Sequence, residues 1–299
     1  MRVDQEVTPS KSNRMFGLIG LGLMGTAITH RLRLNGFEVF GWDICSDQRA
    51  EHRRLGGTLA NNIEEIFTSC NCIILSLPNE KVVASVLQSV QSQLRKRQVV
   101  IDTSTGDPQA TKEMECWLAK YEIDYLDATV SGSSVQLLEG SAMLLVGASE
   151  KAFIECNTIL RAISPTILHV GPTGSGAQMK LVTNLVLGLN RAALAEGLAY
   201  ARALGLPLGE TLKILRESMA YSRIMDTKGE KMIDQDFTAQ AKLSQHAKDV
   251  QLMLSDANRN GLQLPLTETH QQLLQQAIDQ GLGDQDNSAI IQVYGGRDS

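Results

Sequence analysis

The feature that most constrains the fold lies at residues 17–25, which read GLIGLGLMG. An apolar run at residues 15–19 has the composition of a buried strand and leads directly into these glycines. Gly20, Gly22 and Gly25 then follow at GxGxxG spacing, and a helical pattern begins after them. A strand that turns on glycines into a helix is typical of a dinucleotide-binding unit, because the turn, the pyrophosphate and the helix packing each require a position without a Cβ.

The next strand supports a dinucleotide site. Residues 38–42 form a strand-type run that leads into Asp43, 18 residues after Gly25. A carboxylate at this point of a dinucleotide-binding unit accepts hydrogen bonds from the adenosine ribose and repels a 2′-phosphate. The first arginine after Asp43 is Arg49, so the sequence predicts NAD over NADP and leaves NADP open. The alternative to a dinucleotide site is that the glycine turn is flavodoxin-like and binds a different phosphate or no ligand.

Strand and helix patterns alternate through the first half of the chain. Strand patterns recur at residues 15–19, 38–42, 58–60, 72–77, 98–102, 123–127, 142–146 and 166–170, and helical patterns occur at residues 46–55, 63–68, 80–94 and 108–120. This alternation predicts an α/β fold with a Rossmann-type doubly wound parallel sheet. Ligands bind beyond the carboxyl ends of such strands, which fall here at the glycine turn, Asp43, Leu77 and Pro78, residues 103–105 and residues 131–133.

The second half of the chain has a different pattern. A glycine-rich break at residues 171–176 is followed by helical patterns without strand alternation, beginning with a long helix over residues 175–204. We therefore predict a Rossmann domain over residues 14–174 and an all-helical substrate and dimerisation domain over residues 175–299, after a disordered, polar lead-in at residues 1–13. The long helix contains too many charged and amide side chains to cross a membrane.

Charge and cysteine content exclude several classes of partner. The chain has 299 residues and a net charge of −5, which argues against a nucleic acid or an anionic membrane as the main partner. The number of cysteines, five, is odd and no CxxC occurs, which indicates a reducing compartment, the cytoplasm, rather than a disulfide framework. The five histidines lack metal-ligand spacing, so we expect no structural metal.

Two pairs of polar residues could take part in chemistry. Lys180 and Asn184 share one face of the predicted long helix, among apolar neighbours. A lysine in such surroundings is a useful proton donor and acceptor, although its stem could instead extend to water from the first turn. Lys248 and Asp249 lie on a helical pattern and, taken alone, have the features of a surface ion pair. Residues 131–133 could present backbone N–H groups to an anion or be an ordinary polar loop.

Four motifs in order resemble the β-hydroxyacid dehydrogenase family. They are GLIGLGLMG at residues 17–25, DATVSGS at 127–133, GPTGSGAQMKLVTN at 171–184 and HAKDVQL at 246–252. The resemblance covers about residues 15–294. The family includes 3-hydroxyisobutyrate dehydrogenases, tartronate semialdehyde reductases and glyoxylate/succinic semialdehyde reductases. Membership implies hydride transfer between NAD(P) and a small hydroxy acid or its semialdehyde or keto form.

The resemblance also implies roles for particular residues, with Lys180 as general acid and base. The implied substrate-binding residues are Ser131, Gly132, Ser133, Asn184 and Lys248. The implied cofactor-binding residues are Gly20, Leu21, Gly22, Leu23, Met24, Gly25, Asp43, Leu77, Pro78, Thr105, Lys248 and Asp249. The family further implies a homo-oligomer, a dimer or a tetramer, formed through the helical domain.

The chain departs from the family pattern at three positions. Thr129 stands where proline is usual, Ser133 stands where a second glycine is usual, and Thr183 replaces the first asparagine of a pair. Because Ser133 adds a side chain beside the expected carboxylate pocket, the sequence does not identify the substrate. The candidates are 3-hydroxyisobutyrate, glycerate, 4-hydroxybutyrate, threonate and similar acids. Two rival functions are an imine reductase and a non-catalytic dinucleotide-binding scaffold. Both groups usually lack the lysine, so Lys180 counts against them.

Overall fold

A computed structural model describes residues 15–295 of the chain, and the lead-in expected at residues 1–13 lies outside them. The chain divides into two compact units, residues 1–180 and 181–299. The division falls inside the long helix that the sequence predicts, and the domain boundary after residue 174 stays a prediction.

The first unit is built on a single sheet. Its strands, within the described residues, are β1 (Met15–Ile19), β2 (Glu38–Trp42), β3 (Thr58–Leu59), β4 (Cys72–Leu75), β5 (Val99–Asp102), β6 (Asp124–Ser131), β7 (Met143–Gly147) and β8 (Thr166–Gly171). They lie in the order β3-β2-β1-β4-β5-β6-β7-β8. The order reverses beside β1, and open α/β sheets bind ligands beyond the strand ends at such a reversal.

Helices cover both faces of this sheet. They are α1 (Leu23–Leu34), α2 (Ser46–Arg54), α3 (Ile63–Ser69), α4 (Glu80–Ser89), α5 (Pro108–Ala119), α6 (Ser134–Leu138) and α7 (Glu150–Ile163), with a 3-10 helix at Gln91–Gln93. Successive residues of a strand point to opposite faces. Leu18 and Ile74 accordingly belong to one buried cluster, whereas Ile19 and Ile73 belong to another. Burial on both faces explains why β4 is an unbroken apolar run.

The doubly wound sheet is confirmed, with one difference in strand direction. β7 runs antiparallel to β6, whereas the other neighbouring strands are parallel. The short connection through α6 cannot make the crossover of about a dozen or more residues that a parallel pair needs. The antiparallel ladder also extends β6 to Ser131, which pairs with Met143, so residues 128–131 are strand rather than loop. α6 and α7 are two further helices that the sequence patterns did not predict.

The second unit is helical, as predicted. α8 (Ser175–Ala203) begins in the first unit and continues into the second, where it is followed by α9 (Leu208–Glu217), α10 (Ile224–Asp234), α11 (Leu243–Arg259), α12 (Pro265–Asp279) and a 3-10 helix at Asn287–Tyr294. Its core is one apolar cluster that includes Leu198, Met232 and Leu274. Within residues 15–295, every helix is too short or too polar to cross a membrane.

Candidate active site

The three glycines of the turn after β1 satisfy three separate requirements. Gly20 has a φ of +91°, and a Cβ there would lie 2.1 Å from the backbone oxygen of Ser76. A Cβ on Gly25 would lie 2.0 Å from the oxygen of Gly20, so this glycine lets α1 pack against the turn. Gly22 precedes α1 as its N-cap, and a Cβ there would meet nothing within 4 Å. The residues fit a pyrophosphate, because open space adjoins a helix N-terminus that attracts anions.

Asp43 lies directly beside this glycine turn. Its Oδ2 accepts a hydrogen bond of 2.7 Å from the backbone N–H of Leu21, and its Oδ1 accepts one of 2.8 Å from the N–H of Cys45. The carboxylate therefore joins the end of β2 to the turn after β1. Among the apolar residues of the motif, Leu21 is fully buried and Met24 is partly buried, whereas Leu23 is exposed.

The loops after β4 and β5 are bonded to each other. The N–H of Leu77 donates to the hydroxyl of Ser104 at 2.9 Å. Asp102 holds the second loop, since its carboxylate accepts from the N–H of Ser104 at 2.8 Å and from the hydroxyl of Tyr125 at 2.6 Å. Burial raises the pKa of Asp102, and these hydrogen bonds oppose the rise. The cofactor-binding residues expected here, Leu77, Pro78 and Thr105, thus lie at the carboxyl ends of adjacent strands.

Residues 131–133 form the link between β6 and α6. Ser131 ends the strand, and Gly132 has a φ of +141°. Ser133 caps α6, because its hydroxyl accepts from the N–H of Gln136 at 3.2 Å and its own N–H donates to the side chain of Gln136 at 2.8 Å. The N–H of Ser133 is therefore engaged in a capping box, and its hydroxyl hydrogen is the group that could meet a substrate.

Asp127 fixes the beginning of α8. Its Oδ1 accepts from the N–H of Gly174 at 2.8 Å, and its Oδ2 accepts from the N–H of Ala177 at 2.6 Å. A Cβ on Gly147 would lie 2.3 Å from one carboxylate oxygen, and a Cβ on Gly176 would lie 2.6 Å from the other. The carboxylate thus occupies a space that two glycines leave, and it satisfies N–H groups that a helix N-terminus cannot pair internally.

Burial gives Asp127 an unusual pKa. Desolvation raises the pKa to about 7, with a further rise from the charge of Asp102, while the two N–H groups lower it. A carboxyl group that titrates near neutrality therefore holds the N-terminus of the helix on which Lys180 lies.

Lys180 is buried, with 8% of its surface exposed. Most of this residue is therefore covered by the surrounding protein, although it lies only one to two turns from the start of α8. One turn further along α8, the side-chain amide of Asn184 donates to Oδ2 of Asp249 at 3.1 Å, and both residues are buried. Asp249 is therefore buried rather than on the surface and accepts from the amide of Asn184, whereas the neighbouring Lys248 is half-buried.

Both units match models of known dehydrogenases. Residues 15–171 match the NAD-binding domain of 6-phosphogluconate dehydrogenase, and residues 174–294 match the NAD-binding domain of NADP-dependent 3-hydroxyisobutyrate dehydrogenase. The chain is 33% identical to the 2-(hydroxymethyl)glutarate dehydrogenase of Eubacterium barkeri over 93% of its own length and 94% of that enzyme. The chain belongs to the β-hydroxyacid dehydrogenase family.

Other members of the β-hydroxyacid dehydrogenase family cover the chain to a similar extent. The 2-hydroxy-3-oxopropionate reductase of Escherichia coli is 29% identical over 93% of this chain and 96% of that enzyme. The crystal structure of a 3-hydroxyisobutyrate dehydrogenase from Salmonella typhimurium superimposes with a TM-score of 0.86 at 25% identity and covers 93% of this chain and 99% of that one. The protein is thus an NAD(P)-dependent oxidoreductase of the hydroxyacid dehydrogenase type.

The sequence motifs of this dehydrogenase located the loops but not the contacts that fix them. Asp127 begins the DATVSGS motif, yet nothing local indicates that it bonds to residues about 50 positions further along. Thr129, which replaces the usual proline, donates its hydroxyl to the oxygen of Gly176 at 3.2 Å and so also contacts the start of α8. Among residues 15–295, no three metal-ligating side chains converge.

Proposed function

We propose that this β-hydroxyacid dehydrogenase interconverts a small hydroxy acid and its semialdehyde or keto form, with Lys180 as general acid and base. The observation that carries the proposal is the burial of Lys180 on α8, close to the helix N-terminus that Asp127 holds. A buried amine competes with little water for the reacting oxygen, and the hydrogen bonds of Asp127 fix its distance from the strand ends.

In the proposed mechanism, Lys180 accepts a proton in oxidation and donates one in reduction. When bound, the nicotinamide supplies the hydride chemistry. In oxidation, the neutral amine of Lys180 takes the proton of the substrate hydroxyl, and in reduction its ammonium returns the proton to the carbonyl oxygen. Thr105, Leu77 and Pro78 would contact the nicotinamide end of the cofactor, because they follow β4 and β5 beside the glycine turn.

Carboxylate recognition is assigned to the remaining predicted site residues. The hydroxyls of Ser131 and Ser133 and the backbone of Gly132 would bind the substrate carboxylate, with Lys248 as its counter-charge. Asn184 would hold the substrate oxygen, because Asp249 fixes its amide. The relatives named above act on 2-(hydroxymethyl)glutarate and 2-hydroxy-3-oxopropionate, which favours a small carboxylate for this chain as well.

Cofactor choice, assembly and compartment complete the proposal. Asp43 favours NAD as the better cofactor, with NADP also accepted. The family resemblance favours a homo-oligomer formed through the helical unit, and the five free thiols favour the reducing cytoplasm.

Replacing Lys180 tests the assigned chemistry. We expect Lys180→Ala to lower kcat by roughly a hundred- to ten-thousandfold, the usual contribution of a general acid and base, on the best substrate from a panel of hydroxy acids and semialdehydes. Quenching of intrinsic fluorescence by NADH should remain, because the glycine turn is unchanged. Lys151→Ala is the control, since Lys151 is exposed and faces Glu155. A Lys180→Ala rate within threefold of wild type would refute the role, and cofactor binding without turnover of any acid would favour the scaffold.

A further inference from the structure

The core of the second unit contains a buried arginine, Arg191 of α8. It is 1% exposed and is among the largest fully buried side chains. Within residues 15–295, its Nε and Nη2 atoms are buried and have no hydrogen-bond partner. Desolvation lowers its pKa only to about 10, so the guanidinium keeps its charge at neutral pH. Because an isolated charge is costly to remove from water, buried charges are normally paired. The position of Arg191 therefore calls for a negative partner.

The two unpartnered nitrogen atoms of Arg191 define one edge of its guanidinium group. Their N–H bonds point in parallel from the same side of the planar fork. Such an edge binds both oxygens of a planar oxyanion, or one small anion between its two hydrogens. A water molecule could accept the same two hydrogen bonds, but it would bring no negative charge. The geometry of this edge therefore matches a small anion.

The buried carboxylate whose charge acts on Arg191, that of Asp286, is already fully bonded. Its two oxygens accept from the ammonium of Lys228 at 2.8 and 2.9 Å. One oxygen also accepts from the N–H and the hydroxyl of Ser288, and the other accepts from the N–H groups of residues 240 and 241. A carboxylate offers about four lone-pair positions, so none remains for Arg191. Around Asp286, one buried carboxylate thus faces two buried cations.

Two histidine rings pack against α8 one turn before Arg191. A Cβ on Gly188 would lie 2.5 Å from Nε2 of His246 on α11 and 2.8 Å from Cε1 of His270 on α12. The centroids of the two rings are 5.2 Å apart. Gly188 and Arg191 are three residues apart and so lie on one face of the helix. Within the described part of the chain, Nε2 of His270 is buried without a hydrogen-bond partner, and a tautomer with its hydrogen there is a further donor.

We propose that the core of the helical unit binds a small monovalent anion, held by the Nε and Nη2 edge of Arg191 with Nε2 of His270 as a further donor. The anion is monovalent because it cancels one surplus positive charge. It is small because Arg191, His246 and His270 are all buried. Halides and planar oxyanions such as formate share this chemistry. The inference goes beyond the proposed function, since Arg191 lies about three turns after Lys180 on α8.

Diffraction from wild-type crystals tests the site without any substitution. In crystals transferred to bromide, we expect an anomalous peak within hydrogen-bond distance of Nε and Nη2 of Arg191. In crystals transferred to formate, one oxygen should lie at each of these two nitrogens. Water alone at this edge in both salts would overturn the inference. So would an edge that bonds to Oδ1 of Asn287, a buried acceptor that has no partner within residues 15–295.

Anion-dependent stability tests the same site in solution. At constant ionic strength, replacing gluconate by chloride or formate at about 0.1 M should raise the Tm of wild type by about 2 °C. Arg191→Met should reduce this rise to less than about 1 °C, and Arg191→Lys, which keeps the charge but not the paired donors, should recover only part of it. Lys213→Met, which removes an exposed cation from α9, is the control and should keep the wild-type rise.

Two outcomes in solution would contradict the anion site. An equal rise in wild type and Arg191→Met would show a general salt effect on the protein rather than binding at Arg191. The absence of any rise in wild type would show that the edge of Arg191 does not bind these anions in solution. If Arg191→Met does not fold, the bromide and formate positions in the wild-type crystals decide the question. Neither result bears on hydride transfer, because the variants leave Lys180 and the glycine turn unchanged.

Discussion

Two buried aspartates, one in each unit, are stabilised by different kinds of hydrogen-bond donor. Asp127 in the first unit is 2% exposed, and its carboxylate accepts from the backbone N–H groups of Gly174 and Ala177. Asp286 in the second unit is fully buried and accepts two hydrogen bonds of 2.8 and 2.9 Å from the ammonium of Lys228. One carboxylate is bonded to backbone N–H groups at the start of a helix, whereas the other is half of an ion pair.

The pKa values of the two aspartates shift in opposite directions. Burial raises the pKa of Asp127 to about 7. Burial also acts to raise the pKa of Asp286, but the hydrogen bond and charge of Lys228, together with hydrogen bonds from Ser288 and Gln240, lower the pKa. Burial lowers the pKa of Lys228 as well, which by itself would weaken the pair. The N–H of Gln240 and the N–H and hydroxyl of Ser288 also donate to the carboxylate of Asp286. A partner cation thus helps to lower the pKa of a buried carboxylate, whereas the pKa of the carboxylate that accepts only N–H groups is raised.

The largest expected effect is the loss of folding stability when the buried ion pair between Asp286 and Lys228 is broken. Asp286→Ala leaves the ammonium of Lys228 buried without its counter-ion and removes an acceptor from the N–H groups of residues 240 and 241. We expect the free energy of unfolding to fall by about 3–5 kcal/mol, the cost of breaking a buried pair. Urea denaturation at pH 7 measures it. Asp284→Ala, which breaks an exposed pair with Lys242, should leave the midpoint unchanged. A loss at Asp286 no larger than that of this control would contradict the comparison.

The second prediction concerns the pH dependence of stability at Asp127. Its folded pKa lies above the unfolded value, so the folded state binds the extra proton between about pH 4 and pH 7. The stabilisation it contributes is complete below the unfolded pKa and is lost as the pH rises through about 7. Between pH 5.5 and 7.5 we expect wild type to lose about 2 kcal/mol relative to Asp127→Asn, which cannot titrate.

The control for this pH series is Asp124→Asn, a change on the same strand at a half-buried position. It should keep the wild-type slope. The pH dependence of stability at Asp286 has the opposite sign, because the folded pKa of this carboxyl is lowered. Its contribution to stability is present above the unfolded pKa and is lost as the pH falls through the folded pKa. Parallel curves for wild type and Asp127→Asn across pH 5.5–7.5 would show that Asp127 is ionised throughout.

The sequence predicted the fold better than it predicted the contacts that fix the site. GxGxxG spacing and strand patterns are local, so they predicted β1, β2 and the position of Asp43 correctly. The direction of β7 depends on the length of its connection and on pairing with β6, which strand patterns do not encode. The role of Asp127 was also out of reach, because its hydrogen bonds span 47 and 50 residues of chain. Lys180 was identified by its motif, but its burial is a property of the packed structure.

The smallest expected effect concerns Arg191, a second buried cation on which the charge of Asp286 acts. Arg191 is 1% exposed, and its Nε and Nη2 donate to no side chain or backbone group within residues 15–295. Desolvation lowers the pKa of Arg191 to about 10, and the charge of Asp286 opposes this fall. Burial, and then the charge of Arg191, lower the pKa of His270 to about 4. Arg191 is therefore a buried cation that interacts with Asp286 over distance but forms no hydrogen bond with it.

Replacing Arg191 by an apolar side chain of similar length removes a desolvation cost along with a weak attraction. We expect Arg191→Met to change the free energy of unfolding by no more than about 1 kcal/mol in either direction, since apolar replacement of buried charges is often neutral or stabilising. The pKa of His270, followed by NMR, should rise towards its ordinary value, because one neighbouring positive charge is gone. A loss as large as that of Asp286→Ala would instead identify Arg191, rather than Lys228, as the cation that keeps Asp286 ionised.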